Sequence, residues 1–261
     1  MRLEGKTILL TGAAGGMGQL IARELAAQGA RLALTDMNQI RLTEITTDLG
    51  NQHIGIVANL CTNEGIAELT RACNAAGGID ILINAAGVSD YVMLQNQPEK
   101  QIELTLQLNL LTPVLLCQRL LPQLSDRPEA AIVNIGSTFG SIGHPGFSTY
   151  CASKFGLRGF SEALRRELAD TAIQVYYVAP RAMRTDMNSA AVVELNRELG
   201  NTMDEPEVVV QELLRLLTRK TGGAYFLGWP EKLLVRLNGL LPAVVDAALG
   251  KQLATIKRLA G

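Results

Sequence analysis

A short apolar run, Lys6 to Thr11, leads directly into Thr11-Gly12-Ala13-Ala14-Gly15-Gly16-Met17-Gly18. An amphipathic pattern with Leu20, Ile21, Leu25 and Ala26 follows, and Gly29 can end it. This order constrains the chain more than any other stretch. The run with Ile8, Leu9 and Leu10 at its centre reads as a buried strand. Glycines between a strand and a helix let the backbone approach a pyrophosphate, and the helix N-terminus supplies N–H groups with partial positive charge. Gly12, Gly16, Met17 and Gly18 are therefore candidate cofactor contacts. A glycine-rich turn alone is a weak signal, but here it has the strand–turn–helix context that dinucleotide binding requires.

The pattern then repeats. Arg31 to Thr35 reads as a second strand and ends in Asp36, 18 residues beyond Gly18. That is close to the spacing of a carboxylate that holds an adenosine ribose. Asp36 would accept hydrogen bonds from both ribose hydroxyls and repel a 2′-phosphate in the same place. Met37, Asn38, Ala13 and Ala14 bring no positive charge, so NAD is favoured over NADP, with Arg41 the residue that could reverse the preference. The bland alternative is an Asp that only caps the next helix. A helix (39–48), a strand (53–58), a helix (64–75) and the strand 79–83 follow. That last strand is continuously apolar except for Asp80, as expected when both faces are covered. Strands alternating with helices predict a parallel, doubly wound sheet, with ligands beyond the carboxyl ends of its strands.

From Pro98 to Leu124 the pattern is helical and apolar on most sides, which suits a deep core helix or a subunit interface. Asn109 is the polar exception, either a hydrogen-bonded core residue or a functional one. Pro113, four residues on, lacks the N–H that would bond the Asn109 carbonyl, so a local kink is expected there. Ala131 to Ile135 reads as a buried strand, followed by Ser137 and then a long helix from about Ser148 to Ala169. On that helix Tyr150 and Lys154 are four apart and share a face. A free tyrosine titrates near pH 10, and a lysine ammonium beside it is expected to pull that value down. Bringing it to about 7 takes roughly 4 kcal/mol, so a cationic cofactor nearby would help the lysine. Ser137 could hold the same substrate oxygen. Tyrosine and lysine at this spacing are more often an ordinary surface pair. Further strands are expected at 172–179 and 224–227, with helices at 186–200 and 207–218. The weakly patterned segment 186–200 could be a mobile lid or an ordinary surface excursion.

Composition narrows the options. A length of 261 residues permits one large α/β domain, and 48% hydrophobic residues suffice for its core. A net charge of −1 gives no basic field for nucleic acid. Cys61, Cys73, Cys117 and Cys151 form no Cys-x-x-Cys pair, and with two histidines they argue against a metal site and for a reducing cytoplasm. The start has too short an apolar run for a signal peptide, and later apolar runs are broken before they could span a bilayer.

Several motifs in order make the chain resemble the short-chain dehydrogenase/reductase family over roughly residues 6–227. Thr11-Gly12-x-x-x-Gly16-x-Gly18 is similar to its cofactor loop. Asn84-Ala85-Ala86-Gly87 is similar to its Asn-Asn-Ala-Gly turn, with Ala85 replacing one Asn. Tyr150-Cys151-Ala152-Ser153-Lys154 is the most specific element, and Asn109, Ser137, Tyr150 and Lys154 align with the catalytic tetrad. Pro180 to Thr185 resembles a Pro-Gly-x-x-x-Thr segment in which Arg181 replaces Gly. Asn59, with Leu60 beside it, stands where many members carry an Asp at the adenine.

The resemblance implies a Rossmann-type single catalytic domain (1–227) that transfers hydride between NAD and a secondary alcohol or ketone. Tyr150 is then the general acid/base, and Lys154 also holds the nicotinamide ribose. Asn84, Ala85, Gly87, Pro180 and Thr185 are further cofactor contacts. A homodimer or homotetramer is implied as well, pairing the 98–124 helix and the Tyr150 helix across a two-fold. An NADPH-dependent 3-oxoacyl-thioester reductase and a non-catalytic dinucleotide-binding scaffold stand as alternatives.

Residues 228–261 lie beyond the resemblance. Five basic residues, Lys232, Arg236, Lys251, Lys257 and Arg258, face two acidic ones, Glu231 and Asp246, a formal charge of +3. Leu233, Leu234, Leu237, Leu240, Leu241, Val244, Val245 and Leu249 give apolar faces, and Pro242 splits the segment into two helices. This amphipathic extension could pack on its own domain or a partner subunit, wall an apolar substrate pocket with Trp229 and Pro230 at its border, or contact a membrane surface peripherally.

Overall fold

The structure is a computed structural model that describes residues 1–185, 187–219 and 221–260. The chain runs β1 (Thr7–Thr11), α1 (Gly16–Ala27), β2 (Arg31–Asp36), α2 (Gln39–Leu49), β3 (Ile54–Val57), α3 (Asn63–Ala75) and β4 (Ile81–Asn84). It continues through α4 (Glu99–Leu106), a π-helical turn (Gln107–Leu111), α5 (Thr112–Ser125), β5 (Ala130–Ile135), α6 (Ser148–Glu167) and β6 (Ile173–Ala179). It ends with α7 (Ala190–Glu198), α8 (Pro206–Arg219), β7 (Gly223–Phe226), α9 (Glu231–Leu240) and α10 (Pro242–Ala260).

The strands form one sheet in the order β3-β2-β1-β4-β5-β6-β7, every neighbouring pair parallel. After β3 the chain crosses back to the other side of β1, so the order reverses between β1 and β4. In open sheets of this kind, ligands bind at such a reversal, in the crevice beyond the carboxyl ends of the strands.

Alternate strand residues serve two cores. Ile8, Leu10, Leu32, Leu34, Ile81 and Ile83 pack with Ile21 and Leu25 of α1 and Val209, Leu213 and Leu216 of α8. Leu9, Ala33, Leu82 and Ile132 turn to the opposite face, against Ile66 and Leu69 of α3 and Leu116, Leu120 and Leu124 of α5. Both faces are thus dry, which is why the central strands read as unbroken apolar runs rather than alternating ones. Asp80 interrupts the pattern because it ties the amino ends of two strands together. It accepts from the Thr7 N–H at 2.8 Å and from Lys6 Nζ at 3.4 Å.

One sequence expectation takes a definite form here, and two change. The helix from Pro98 is not uniform: its middle is wound as a π turn, in which the Thr112 N–H bonds the Gln107 carbonyl. The irregularity spans Asn109, the residue whose carbonyl Pro113 cannot bond. The proline sits at the start of α5, where a missing N–H is tolerated. Glu99–Ser125 is also long and apolar enough, by length and composition alone, to cross a membrane, contrary to the expectation that every apolar run is broken. Here it is a core helix, with Leu116, Leu120 and Leu124 fully buried. The helix expected over 186–200 is shorter. Ser189 caps it by accepting from Val192 N–H, and it ends at Glu198. Asp186 itself lies outside the described residues.

Candidate active site

The crevice between β1 and β4 is held by direct stitching. Thr11 Oγ1 accepts from the N–H groups of Ala85 and Ala86, each at 3.0 Å. A Cβ on Gly12 would come within 2.8 Å of the Ala86 backbone, and one on Gly18 within 2.1 Å of the Gly12 carbonyl oxygen. Only glycine fits at either place, and Gly12 also has a positive φ of 69°. Gly16, by contrast, has open space where its Cβ would be. Helices α2, α3 and α7 have side-chain caps from Asn38, Thr62 and Ser189, whereas α1 has none and no acidic residue in its first turn. Its N–H groups remain available to an anion. The cradle fits a dinucleotide pyrophosphate.

Asp36 stands beside this loop. Its Oδ2 accepts from Ala14 N–H and its Oδ1 from Asn38 N–H, both at 3.0 Å. The carboxylate therefore holds the glycine loop in place and keeps lone pairs for hydroxyl donors. It does not cap α2, which is capped by Asn38. Asn59 is exposed and bends the chain after β3 by accepting from Cys61 N–H, while the carbonyl of buried Leu60 accepts from Thr112 Oγ1 at 2.6 Å. Asn84 does not join the crevice through its side chain. It is buried and donates to Asn134 Oδ1 at 2.8 Å, and Asn134 in turn donates to Ser161 Oγ. The reason is its place in β4, where the side chain faces the neighbouring strand β5 and the helix α6 behind it.

Asn109, Ser137, Tyr150 and Lys154 come from three separate elements and meet at the carboxyl end of β5. The π turn carries Asn109, which is fully buried. Its Oδ1 accepts from Val88 N–H at 2.8 Å, and its Nδ2 donates to the Val88 carbonyl at 2.8 Å and Ser153 Oγ at 3.2 Å. A Cβ on Gly87 would lie 3.0 Å from Asn109 Oδ1 and 3.8 Å from Lys154 Nζ, which puts these three groups side by side. Lys154 is buried and donates to the Ile135 carbonyl at 2.9 Å. Ser137 lies two residues beyond β5, and its Oγ accepts from Phe139 N–H.

Burial dominates the electrostatics. Removal from water pushes the Tyr150 phenol up to about 12, against a side-chain hydrogen bond with Ser137 that lowers it. The same cause brings Lys154 down to about 8. Lys154 by itself does not bring the Tyr150 phenol down, which agrees with the expectation that a cationic cofactor must help it. The ammonium lies 5.7 Å from the centroid of the tyrosine ring, over its face, and is bonded to a main-chain carbonyl. It stabilises the phenolate less than desolvation opposes it.

Aromatic residues are only 4% of the chain but cluster here. Tyr91 stacks on Phe147 at 4.9 Å and Phe139 on His144 at 4.9 Å, and both Phe139 and Phe147 meet Tyr150 edge-on. Val192 and Leu195 of α7 and Ile256 and Leu259 of α10 close the same cluster. Tyr91 Oη donates to the Ile256 carbonyl at 2.8 Å. Val235 of α9 and Val245 of α10 pack on Ile142, and Asn238 Nδ2 donates to the Ser141 carbonyl at 2.9 Å. The last two helices thus roof the segment that contains Tyr150.

Three supporting residues have no motif in the sequence. Tyr177 Oη donates to the Ser137 carbonyl and fills the space beside Gly136 and Gly140, where a Cβ would approach within 2.1 Å. Glycines on both sides of Ser137 were the available signal. Gln19 Nε2 donates to the Ala14 carbonyl and braces the glycine loop. Arg181, after buried Pro180, donates to the Trp229 carbonyl at 3.0 Å and pairs with Asp204 and Glu231. It ties β6, the approach to α8 and the start of α9 together. Thr185 lies beyond this point, its N–H donated to the Met183 carbonyl.

Residues 6–196 match the family described as short chain dehydrogenase. A 3-oxoacyl-[acyl-carrier-protein] reductase, FabG, of Haemophilus influenzae is 36% identical over 74% of this chain and 80% of its own length. Dehydrogenase/reductase SDR family member 7B of Danio rerio is 30% identical over 93% of this chain and 84% of its own. Among solved structures, a short chain dehydrogenase from Burkholderia cenocepacia in complex with NADP superposes with a TM-score of 0.80 at 27% identity, covering 89% of this chain and all of that one.

Proposed function

The chain belongs to the short-chain dehydrogenase family and is an oxidoreductase using a nicotinamide dinucleotide, and we propose that it interconverts an apolar secondary alcohol and its ketone with NAD(H). The observation that carries this reading is the meeting of Asn109, Ser137, Tyr150 and Lys154 beside an uncapped helix N-terminus and under an apolar roof.

In the proposed site Gly12, Gly16, Met17 and Gly18 hold the pyrophosphate. Asp36 holds the adenosine ribose, and Asn59 and Leu60 border the adenine. Ala85, Gly87, Lys154, Pro180 and Thr185 hold the nicotinamide half, and Asn84 supports it from behind. When bound, the dinucleotide exchanges the hydride and, oxidised, brings a positively charged ring. Tyr150 gives its proton to the carbonyl oxygen, or takes one from the hydroxyl. Ser137 holds that oxygen. Lys154, ordinarily cationic but brought to about 8 by burial, can pass a proton near neutral pH. The Asn109 main-chain carbonyl, which Pro113 cannot hydrogen-bond, is the proposed acceptor for a water leading from Lys154 to solvent.

The test is a panel of ketones and alcohols graded by chain length, run with NADH and NADPH. Apolar ketones of increasing length should give falling KM. Deleting residues 228–261 should raise KM more for long substrates than for short ones, because Ile256 and Leu259 leave the roof. An equal effect on both, in a folded protein, would remove the tail from substrate recognition. A second reading, a 3-oxoacyl-thioester reductase, is favoured by the FabG relatives. Turnover confined to 3-oxoacyl thioesters with NADPH would select it.

Asp36 carries the cofactor preference. NAD should bind more tightly than NADP by titration, and Asp36→Ala should narrow the gap by relieving repulsion of the 2′-phosphate. A native preference for NADP would refute this assignment and turn attention to Arg41.

The proposed assembly is a homodimer or homotetramer in the cytoplasm. Leu104, Leu106 and Leu111 of the α4–α5 segment and Phe155 of α6 are exposed, and they lie on the two helices expected to pair. Light scattering should show at least a dimer at micromolar concentration, and Leu111→Glu should weaken it. A monomeric native protein would exclude this interface.

A further inference from the structure

Helices α9 and α10 have two faces, and the roof over Tyr150 uses only the inner one. On the outer side, Leu240 is 80% exposed, Leu241 56% and Val244 51%. With Pro242 and Ala243 they form an apolar elbow where α9 bends into α10 by 119°. Lys232, Arg236 and Leu240 follow one another at four-residue spacing on a solvent-facing stripe of α9, and exposed Leu233 lies three residues before Arg236 on the same side. Lys251 lies on the exposed side of α10 with Ala243 and Ala247, at the same four-residue spacing. Trp229, exposed at the start of α9, adds an aromatic ring.

The charge is segregated. Residues 228–261 carry +3 while the whole chain carries −1, so residues 1–227 carry −4. Two of the tail's charges are already paired with the rest of the chain: Glu231 with Arg181, and Arg258 with Glu198. Lys232 also faces Glu212 of α8, and Asp246 is exposed on α10. Around the elbow the balance stays positive, with Lys232, Arg236 and Lys251 against Asp246.

We propose that this elbow docks the enzyme on an anionic lipid bilayer. The apolar side chains of Leu240, Leu241 and Val244 enter the headgroup boundary, and Lys232, Arg236 and Lys251 meet the lipid phosphates. A long basic side chain can lay its stem on apolar surface and keep its charge at the interface. A second copy of the chain fits this face less well. A two-fold contact through it would set the same positive residues against themselves. Docking here leaves the inner face, and the site beneath it, intact.

The experiment is flotation of the full chain with phosphatidylcholine–phosphatidylglycerol vesicles and with phosphatidylcholine vesicles alone. Binding to the anionic vesicles is expected, weakened by salt. The double variant Leu240→Glu, Val244→Glu should bind them at least about tenfold more weakly, since each buried aliphatic side chain matters on that scale. Both positions are exposed, so its melting temperature and its turnover of a short soluble substrate should match the native protein. No binding to either vesicle would overturn the proposal, as would equal binding by the native chain and the double variant. A fall in solution mass in the double variant would also overturn it, by showing that the elbow joins two copies.

Discussion

Tyr150→Phe should lower turnover by at least about a hundredfold, the usual scale of general acid–base help, with cofactor affinity nearly unchanged. The substitution keeps the ring and its contacts with Phe139 and Phe147, so the loss reports the hydroxyl alone. The pH profile gives a second readout. Burial holds the phenol up at about 12, so the residues of the chain keep Tyr150 protonated through the neutral range. Carbonyl reduction, which consumes that proton, should be nearly flat there. Alcohol oxidation needs the phenolate and should climb with pH, by up to about tenfold per unit while the pH stays below the operative pKa. A positive charge from bound oxidised cofactor would bring the rise to lower pH without changing its sign. Stopped-flow hydride transfer across pH measures both. Near-normal turnover in the variant would remove Tyr150 from the proposed tetrad.

Asn109→Ala should cost both stability and activity. The side chain satisfies the Val88 N–H and carbonyl together and receives the support of Ser153. Truncation leaves the partly buried Val88 N–H and carbonyl without that partner, at up to about 1–3 kcal/mol each, so a loss of about 2–5 kcal/mol is the expected ceiling. For a domain of this size, that corresponds to a fall in melting temperature on the order of 5–15 °C. Turnover should fall as well, because Gly87 stands between Asn109 Oδ1 and Lys154 Nζ and loses its support when the amide is removed. Calorimetry and turnover on the purified variant test both parts. A melting temperature unchanged within about 2 °C would mean that the turn after β4 holds itself. It would also reduce Asn109 to its main-chain carbonyl.

These two residues show different degrees of legibility. Tyr150 and Lys154 share a helix, and a spacing of four already puts them on one face. Asn109 stood out locally as a polar residue in an apolar helix, and the family resemblance gave it a role. Its two partners on Val88 are 21 residues away, a distance that no local pattern spans. Asn84 shows the opposite case. Its motif marked it as a cofactor contact, while its side chain is spent on Asn134 inside the sheet.

The sequence by itself determined the alternation of strand and helix, the glycine loop after the first strand, Asp36 at the end of the second, and the split of the tail at Pro242. Each is a local matter: hydrophobic period, the absence of a Cβ, or the missing N–H of a proline. The tertiary structure decided what depends on partners far along the chain. It shortened the helix after Thr185, placed the π turn at Asn109, and set Arg181 between Asp204 and Glu231. It also reversed the direction of the Tyr150 shift. Desolvation depends on everything packed around the ring, and in this protein it outweighs one ammonium held over the ring face.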